Sequence, residues 1–446
     1  MSERIVILGG GESGAGAAVL AKVQGFDVFV SDAGRIKKRY LETLKKWDIE
    51  YEDGAHSMKK ILNAAKIIKS PGIPEEIPVM QSIRSSKIPV VSETEFASAY
   101  TKAKIIAITG SNGKTTTTLL THHILKSAGY NVGLAGNVGN SFAYEVATSS
   151  YDYYVLEISS FQLDDSYSFA PDIAVLLNIT PDHLDRYSNS LDLYADSKFR
   201  ITQNLNPNQH FVYCADDPII LRKMTEKRPG GLHIPFSLHG RPAMHAAWVE
   251  ESNLVLEINK QQFKMIIEQL ALQGKHNLYD SMAAAITARL VDVKNIMLKE
   301  SLVDFTNVAH RLETVAMVHG IEFVNDSKAT NVNSAWYALE SINKQIIWIA
   351  GGQDKGNDYS ELYELVKHKV KALICLGVDN SKLKKSFKGI TPIIHETTDI
   401  WEAVNMAYKL GSTGDVVLLS PACASFDLFE NYEDRGNQFK NAVVNL

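Results

Sequence analysis

The residues Gly110-Ser111-Asn112-Gly113-Lys114-Thr115 put two glycines, a lysine and a hydroxyl directly after the apolar run from Ile105 to Thr109. Such a turn lets backbone N–H groups curl around phosphate. Lys114 supplies a point charge, and Thr115 or Thr116 offers a hydroxyl to Mg²⁺ at a helix start. The usual phosphate-loop pattern asks for a glycine five residues before Gly113, and position 108 is Ile, so this is a shortened form. ATP with Mg²⁺ is the chemistry it points to.

A magnesium site needs hard oxygen ligands at strand ends. Glu157 is the only acid in "YYVLEISSFQL", where an otherwise apolar strand reaches its loop. Its other reading is a buried structural carboxylate, costly unless paired. The stretch "NITPDHLDRY" places Asn178, Asp182, His183 and Asp185 after another strand of the same segment. Asp182 also suits a turn cap, and His183 an ordinary surface histidine. On composition alone Lys198, in "LYADSKFRI", reads as a solvated helix lysine.

A second glycine turn lies near the start. Gly9-x-Gly11-x-x-Gly14 follows a strand, and Asp32 ends the next one, which is a dinucleotide fingerprint by spacing. An NAD(P) oxidoreductase, a turn made for packing, and a site for some other diphosphate such as a nucleotide sugar all remain open. A pyrophosphate is all this loop reports. Glu12 is an unusual charge beside a diphosphate and is expected to face solvent.

The elements that hold these loops repeat one style. Arg4 to Leu8 is a buried-strand run, Ala15 to Gln24 has helical composition, and Phe26 to Ser31 is a second strand. "AKIIKSPGIP" adds another strand. A second segment carries strands at 153–159, 173–180 and 210–216, a more irregular stretch from Pro229 to Glu268 with strand-like alternation at "NLVLEIN", and a helix over 274–291 with Asn277 near its start. A third segment, entered through "FTNVAHRLE" (305–313), alternates strands and helices to the end. The expected fold is α/β with three domains: a Rossmann-like domain over 1–94, a P-loop-type ATPase domain with a mostly parallel sheet over 95–303, and a Rossmann-like domain over 304–446.

With 446 residues and a net charge near −5, the chain is long enough for several cores and has no basic footprint for nucleic acid or anionic membrane. The three cysteines, Cys214, Cys375 and Cys423, lack C-x-x-C spacing and read as reduced, buried small hydrophobes. No apolar run approaches a membrane span and "MSERIVILGG" has no secretory core, so a cytosolic protein is expected, and a monomer because nothing reads as a large apolar surface patch.

TGSNGKTTT, LEISSFQL, NITPDHLDRY, SKFRI, GKHN, HRLE, NDSKATN, GGQDKG and SPACASFD, in that order, resemble the Mur ligases of bacterial peptidoglycan synthesis over essentially the whole chain. The resemblance accounts for the shortened loop, because the family reads T-G-[ST]-N-G-K-[ST]-T there. It is strongest to the branch that joins D-glutamate to UDP-N-acetylmuramoyl-L-alanine. Asp326-Ser327-Lys328-Ala329-Thr330-Asn331 is the discriminating stretch. A sister ligase adding a different amino acid is the alternative.

What the resemblance implies is specific. The first glycine loop would hold UDP rather than NAD, with Ser13, Gly14, Asp32, Ser70 and Gly72 lining the UDP-sugar site together with Asn137. ATP would meet Gly110, Ser111, Asn112, Gly113, Lys114, Thr115, Thr116, Asn277, Arg311 and Asp326. Thr115, Glu157, His183 and a carbamylated Lys198 would ligate Mg²⁺. Lys114, His183, Lys198, Arg311 and Lys328 would carry the chemistry, and His310 is a neighbour of open role. D-Glutamate would meet Thr330, Lys355, Ser425, Phe426 and Tyr432. On composition alone Lys355 reads as a solvated loop charge, Ser425 as a cap and Tyr432 as core. Asp280 departs from the family, where an asparagine is expected, and an aspartate cannot donate as an amide does.

Overall fold

The computed structural model describes residues 2–305 and 309–446. Thr306, Asn307 and Val308, inside the stretch read as the entry to the third segment, lie outside the described residues. The chain forms two compact units, Met1–Phe305 and Thr306–Leu446.

The first unit holds two sheets. One is all parallel: β1 (Arg4–Leu8), β2 (Asp27–Asp32), β3 (Glu50–Asp53), β4 (Lys66–Lys69) and β5 (Val90–Ser92), in the order β3-β2-β1-β4-β5. The other has nine strands. They are β6 (Lys104–Thr109), β7 (Val132–Gly136), β8 (Tyr153–Glu157), β9 (Ile173–Leu176), β10 (His210–Cys214), β11 (Leu232–Ser237), β12 (Ala246–Glu250), β13 (Asn253–Ile258) and β14 (Gln261–Ile266). Their order is β14-β13-β12-β11-β10-β9-β6-β8-β7. Central strands such as β6 and β8 are continuous apolar runs because helices cover both faces of a parallel sheet, leaving no solvent side for a polar alternation.

Pro229 to Glu268 is more regular than its sequence suggests: the strand-like alternation at "NLVLEIN" is β13, and β11, β12 and β14 accompany it, with β12, β13 and β14 antiparallel at the sheet edge. Ile258 pairs with Gln261, so β13 and β14 join through the two residues Asn259-Lys260, both with positive φ (53° and 62°). That is the backbone of a tight hairpin turn, and without a glycine its usual sequence signal is weak.

The second unit carries β15 (Glu313–Val318), β16 (Ile321–Asn325), β17 (Ile346–Ala350), β18 (Val370–Leu376), β19 (Ile394–Thr397) and β20 (Val416–Leu419). Their order is β15-β16-β20-β17-β18-β19, parallel except for the β15–β16 pair. Cores lie on both faces of this sheet. All three cysteines are buried and free, as expected. Among the described residues no helix is long and apolar enough to cross a membrane.

Candidate active site

Strands β9, β6 and β8 are adjacent and parallel, so the loops at their carboxyl ends share one crevice, the usual ligand position in an open α/β sheet. The loop after β6 runs through Gly110–Gly113 into the helix Lys114–Ser127. Gly113 caps that helix at φ 82°, and a Cβ there would meet Asp280 Oδ1 at 2.2 Å, so both backbone and space require glycine.

The loop after β9 moulds the one after β6. Asn112 N–H donates to Asn178 Oδ1 (2.9 Å) and Asn178 Nδ2 to Asn112 O (3.1 Å). Ser111 Oγ donates to Thr180 O (2.8 Å) and accepts from Thr180 N–H (2.9 Å). The ammonium of Lys114 donates to Gly110 O and Ser111 O, 2.8 Å each, which centres its charge on the cradle.

Glu157 ends β8 and is buried. Thr115 Oγ1 donates to its Oε2 at 2.6 Å and Asn137 Nδ2 to its Oε1 at 2.8 Å. A carboxylate and a hydroxyl in contact beside a phosphate cradle are hard oxygen donors of the kind magnesium takes. Asn137, expected with the UDP-sugar residues, here supports Glu157. For the nucleotide, Thr116 Oγ1 and Asn277 Oδ1 are buried without a hydrogen-bond partner. Thr117 and Thr118 share that condition around the same helix, so Asn277, held through its Nδ2 to Gln273 O (2.7 Å), is the more telling of the two. These residues fit ATP and Mg²⁺.

Lys198 overturns its reading from composition. It is 1% exposed, on the helix Leu191–Phe199, and donates to Gly110 O at 2.8 Å. Its amine lies 4.5 Å from the centroid of the Tyr194 ring, whose hydroxyl accepts from Ser111 Oγ (3.2 Å). Burial first, and then the charge of Lys114, holds the amine well below the ordinary lysine range, while Asp182, Asp164 and Glu157 pull the other way. His183 is half-exposed in the left-handed region (φ 52°), its Nε2 3.7 Å from Asp182 and its ring edge-on to Phe161. Such a conformation costs a non-glycine residue roughly 1 kcal/mol and marks a constrained loop.

Sequence reasoning missed Tyr194 and Arg186. Tyr194 stands four residues before Lys198, a helical-face spacing that would have paired them. Arg186 stacks on Phe161 (4.7 Å) and its guanidinium nitrogens reach Gly72 O and Ile73 O at 3.5 and 3.4 Å, tying the His183 loop to the first sheet.

At the first glycine loop, Gly9 has φ 87°, and a Cβ on Gly14 would sit 1.8 Å from Gly9 O. Ser70, after β4, donates to Gly9 O at 3.4 Å. Asp32 accepts from Gly10 N–H (2.6 Å) and Gly34 N–H (2.8 Å), one on each oxygen, so its carboxylate holds the loop in place. Ser13 is half-buried, and space opens beside Gly72. Glu12 is exposed as expected, within 3.8 Å of Arg39.

In the second unit β16, β20 and β17 are neighbours, and the loops at their carboxyl ends carry Asp326, Lys328 and Thr330, then Ser425, then Lys355. Asp326 accepts from Ser420 Oγ (2.8 Å) and Leu312 N–H (3.2 Å). Burial pushes its carboxyl up to about 7 against the pull of Arg311. Lys328 lies 5.1 Å from the centroid of the Tyr432 ring. Tyr432 is half-buried at a helix start, Ser425 buried, and Lys355 and Phe426 exposed. His310 is buried with Nδ1 2.9 Å from Asn325 Nδ2, and a Cβ on Gly436 would strike it at 2.1 Å, which makes it a packing joint.

Comparison with known proteins decides the family. Residues 4–78 match the MurD N-terminal domain, 108–288 the Mur ligase middle domain, and 310–423 the Mur ligase glutamate ligase domain. A Porphyromonas gingivalis protein named UDP-N-acetylmuramoylalanine--D-glutamate ligase is 53% identical over 99% of this chain and 98% of its own. The chain belongs to the Mur ligase family. A second relative of that name, from Christiangramia forsetii, is 51% identical over 100% of both chains. Among solved Mur ligase structures, UDP-N-acetylmuramate-alanine ligase MurC from Thermotoga maritima matches with TM-score 0.64 at 18% identity, covering 99% of each chain, and so shares the fold.

Proposed function

We propose that this chain is an ATP-dependent amide ligase that joins D-glutamate to UDP-N-acetylmuramoyl-L-alanine in peptidoglycan precursor synthesis, working as a cytoplasmic monomer. The observation that carries the reading is the phosphate cradle in contact with Glu157–Thr115 and Lys198, in a chain 53% identical over its full length to a ligase of that name.

A carboxylate is a poor electrophile, so amide formation needs an acyl phosphate first. The N–H groups at the start of the helix Lys114–Ser127 and the Lys114 ammonium would hold the phosphates of ATP, and Lys114 offsets charge as the γ-phosphoryl passes to the acceptor carboxylate. Thr115, Glu157 and His183 would hold Mg²⁺ with Asn137 orienting Glu157, and the ion supplies Lewis-acid charge to the transferring group. The neutral amine of Lys198 is the form that adds to CO₂: its nitrogen bonds the carbon and loses a proton, giving a carbamate oxygen donor in place of a cation. Arg311, Asp326 and Asn277 serve the nucleotide. Ser13, Gly14, Ser70 and Gly72 serve the UDP-sugar, with Asp32 fixing their loop. Thr330, Lys355, Ser425, Phe426 and Tyr432 receive the two carboxylates and chain of D-glutamate, and Lys328 neutralises the acyl phosphate. The D-glutamate amine then attacks, and the tetrahedral intermediate expels phosphate.

Incubation with MgATP, UDP-N-acetylmuramoyl-L-alanine and D-glutamate should yield a UDP-sugar heavier by one glutamyl residue by mass spectrometry. An unchanged UDP-sugar mass would reject the reading.

A further inference from the structure

In the second unit, three loops leave the carboxyl ends of neighbouring strands: Ser327–Thr330 after β16, Pro421–Ser425 after β20 and Gly351–Lys355 after β17. One side chain joins them. Arg435, on the helix Tyr432–Val444 and 1% exposed, donates through Nε to Ser327 Oγ (2.9 Å), through Nη2 to Ser327 O (2.8 Å) and through Nη1 to Cys423 O (3.2 Å). The third loop lies against it. Gln353 N–H donates to Ala424 O (2.9 Å), and a Cβ on Gly352 would sit 3.3 Å from Arg435 Nη1. Ser327 Oγ donates in turn to Tyr432 O (2.8 Å), closing the circuit on the first turn of the same helix.

Every acceptor of this guanidinium is neutral. Among the described residues no carboxylate lies within 4 Å of it, and Asp326 and Asp427 act on its charge only from farther off. Lys69, similarly buried, has direct carboxylate partners, among them Asp165 (2.8 Å). A buried, unmatched cation is expensive, and an apolar side chain would fill the volume more cheaply. Its retention makes sense where an anion arrives. The loops it joins carry the residues assigned above to a substrate with two carboxylates.

We propose that Arg435 is a positioning and specificity residue for the amino-acid substrate: it clamps the three loops in register, and its unmatched charge favours a dianionic amino acid over a neutral isostere. This rests on the D-glutamate ligase reading. The guanidinium does not touch the substrate and acts through Ser327, Cys423 and the field it sets up at the loops.

The test compares the wild type with R435K, R435M and S327A by steady-state kinetics with D-glutamate and with D-glutamine, each protein first checked by thermal melting. R435M should raise the KM for D-glutamate by roughly tenfold or more while the KM values for ATP and UDP-sugar stay within about threefold. The preference for D-glutamate over D-glutamine should narrow in R435M and be largely kept in R435K, which retains charge but loses the fork. S327A should show a smaller rise in the same constant. A fall in kcat with the D-glutamate KM unchanged in folded R435K and S327A, or an unchanged preference in folded R435M, would overturn the proposal, and the KM of the first two variants decides it if R435M does not fold. Absence of any D-glutamate-dependent turnover in the wild type would instead overturn the ligase reading itself.

Discussion

Two lysines of the first unit are almost equally hidden, Lys69 at 5% exposure and Lys198 at 1%, yet their surroundings are opposite. Lys69 ends β4 and meets Glu75 at 2.5 Å and Asp165 at 2.8 Å, with Arg84 joining the same two acids. The backbone adds to that junction, since Ser92 N–H donates to Asp165 O (2.8 Å) and Glu95 receives Phe169 N–H (2.8 Å). Lys198 has a carbonyl, an aromatic face and another lysine, and no carboxylate within 4 Å among the described residues. Burial by itself thus says little about a lysine. Matched burial makes a charged latch between the first sheet and the second, and unmatched burial favours the neutral amine.

The sharpest way to break this contrast is K198A. It should lower kcat on the order of 10³-fold or more with the melting midpoint near that of the wild type, and an excess of a short carboxylate should restore part of the activity. Full activity would remove the carbamate role. K69M should do the reverse, lowering stability in denaturant titrations by less than the roughly 3–5 kcal/mol of a fully stripped buried charge, because Asp165 keeps Arg84 as its one remaining cation, while turnover per folded molecule persists. The double variant K69M/D165L should regain most of that loss, and an unchanged K69M would dissolve the latch.

N137A separates the two assignments made for Asn137. Loss of the amide that orients Glu157 should raise the Mg²⁺ concentration needed for half-maximal rate by roughly 10–100-fold and leave the UDP-sugar KM nearly unchanged. The opposite pattern would return Asn137 to the UDP-sugar residues.

The last contrast concerns pH. The Asp326 carboxyl stands at about 7 in the fold against the ordinary 3.8, so the native state holds its proton more tightly than the unfolded chain. The stability this provides is fully present below about pH 4 and is lost as pH rises through about 7. D326N, which does not titrate, should flatten that part of the stability profile, and an unaltered slope would place the titration elsewhere.

How far the sequence foretold the site follows from how local each feature is. The phosphate loop was legible because glycines, lysine and threonine are contiguous and the strand before them is a plain apolar run. Glu157 stood out as the lone acid in such a run. Lys198 did not, because its environment is assembled from Gly110, Tyr194 and Lys114, brought together only by packing of the helix Leu191–Phe199 against the loop. Asn137 was assigned by family analogy to one ligand, while the pairing of β7 with β8 puts it against Glu157. Arg435 carries no motif, since its meaning lies in three loops distant in sequence.

The central claim is tested most directly by phosphate release from MgATP in the presence of UDP-N-acetylmuramoyl-L-alanine, with D-glutamate, L-glutamate, L-alanine, L-lysine or meso-diaminopimelate added singly. The account predicts release with D-glutamate alone, and only when the UDP-sugar is present. Release with another of these amines instead, or with none of them, would contradict it.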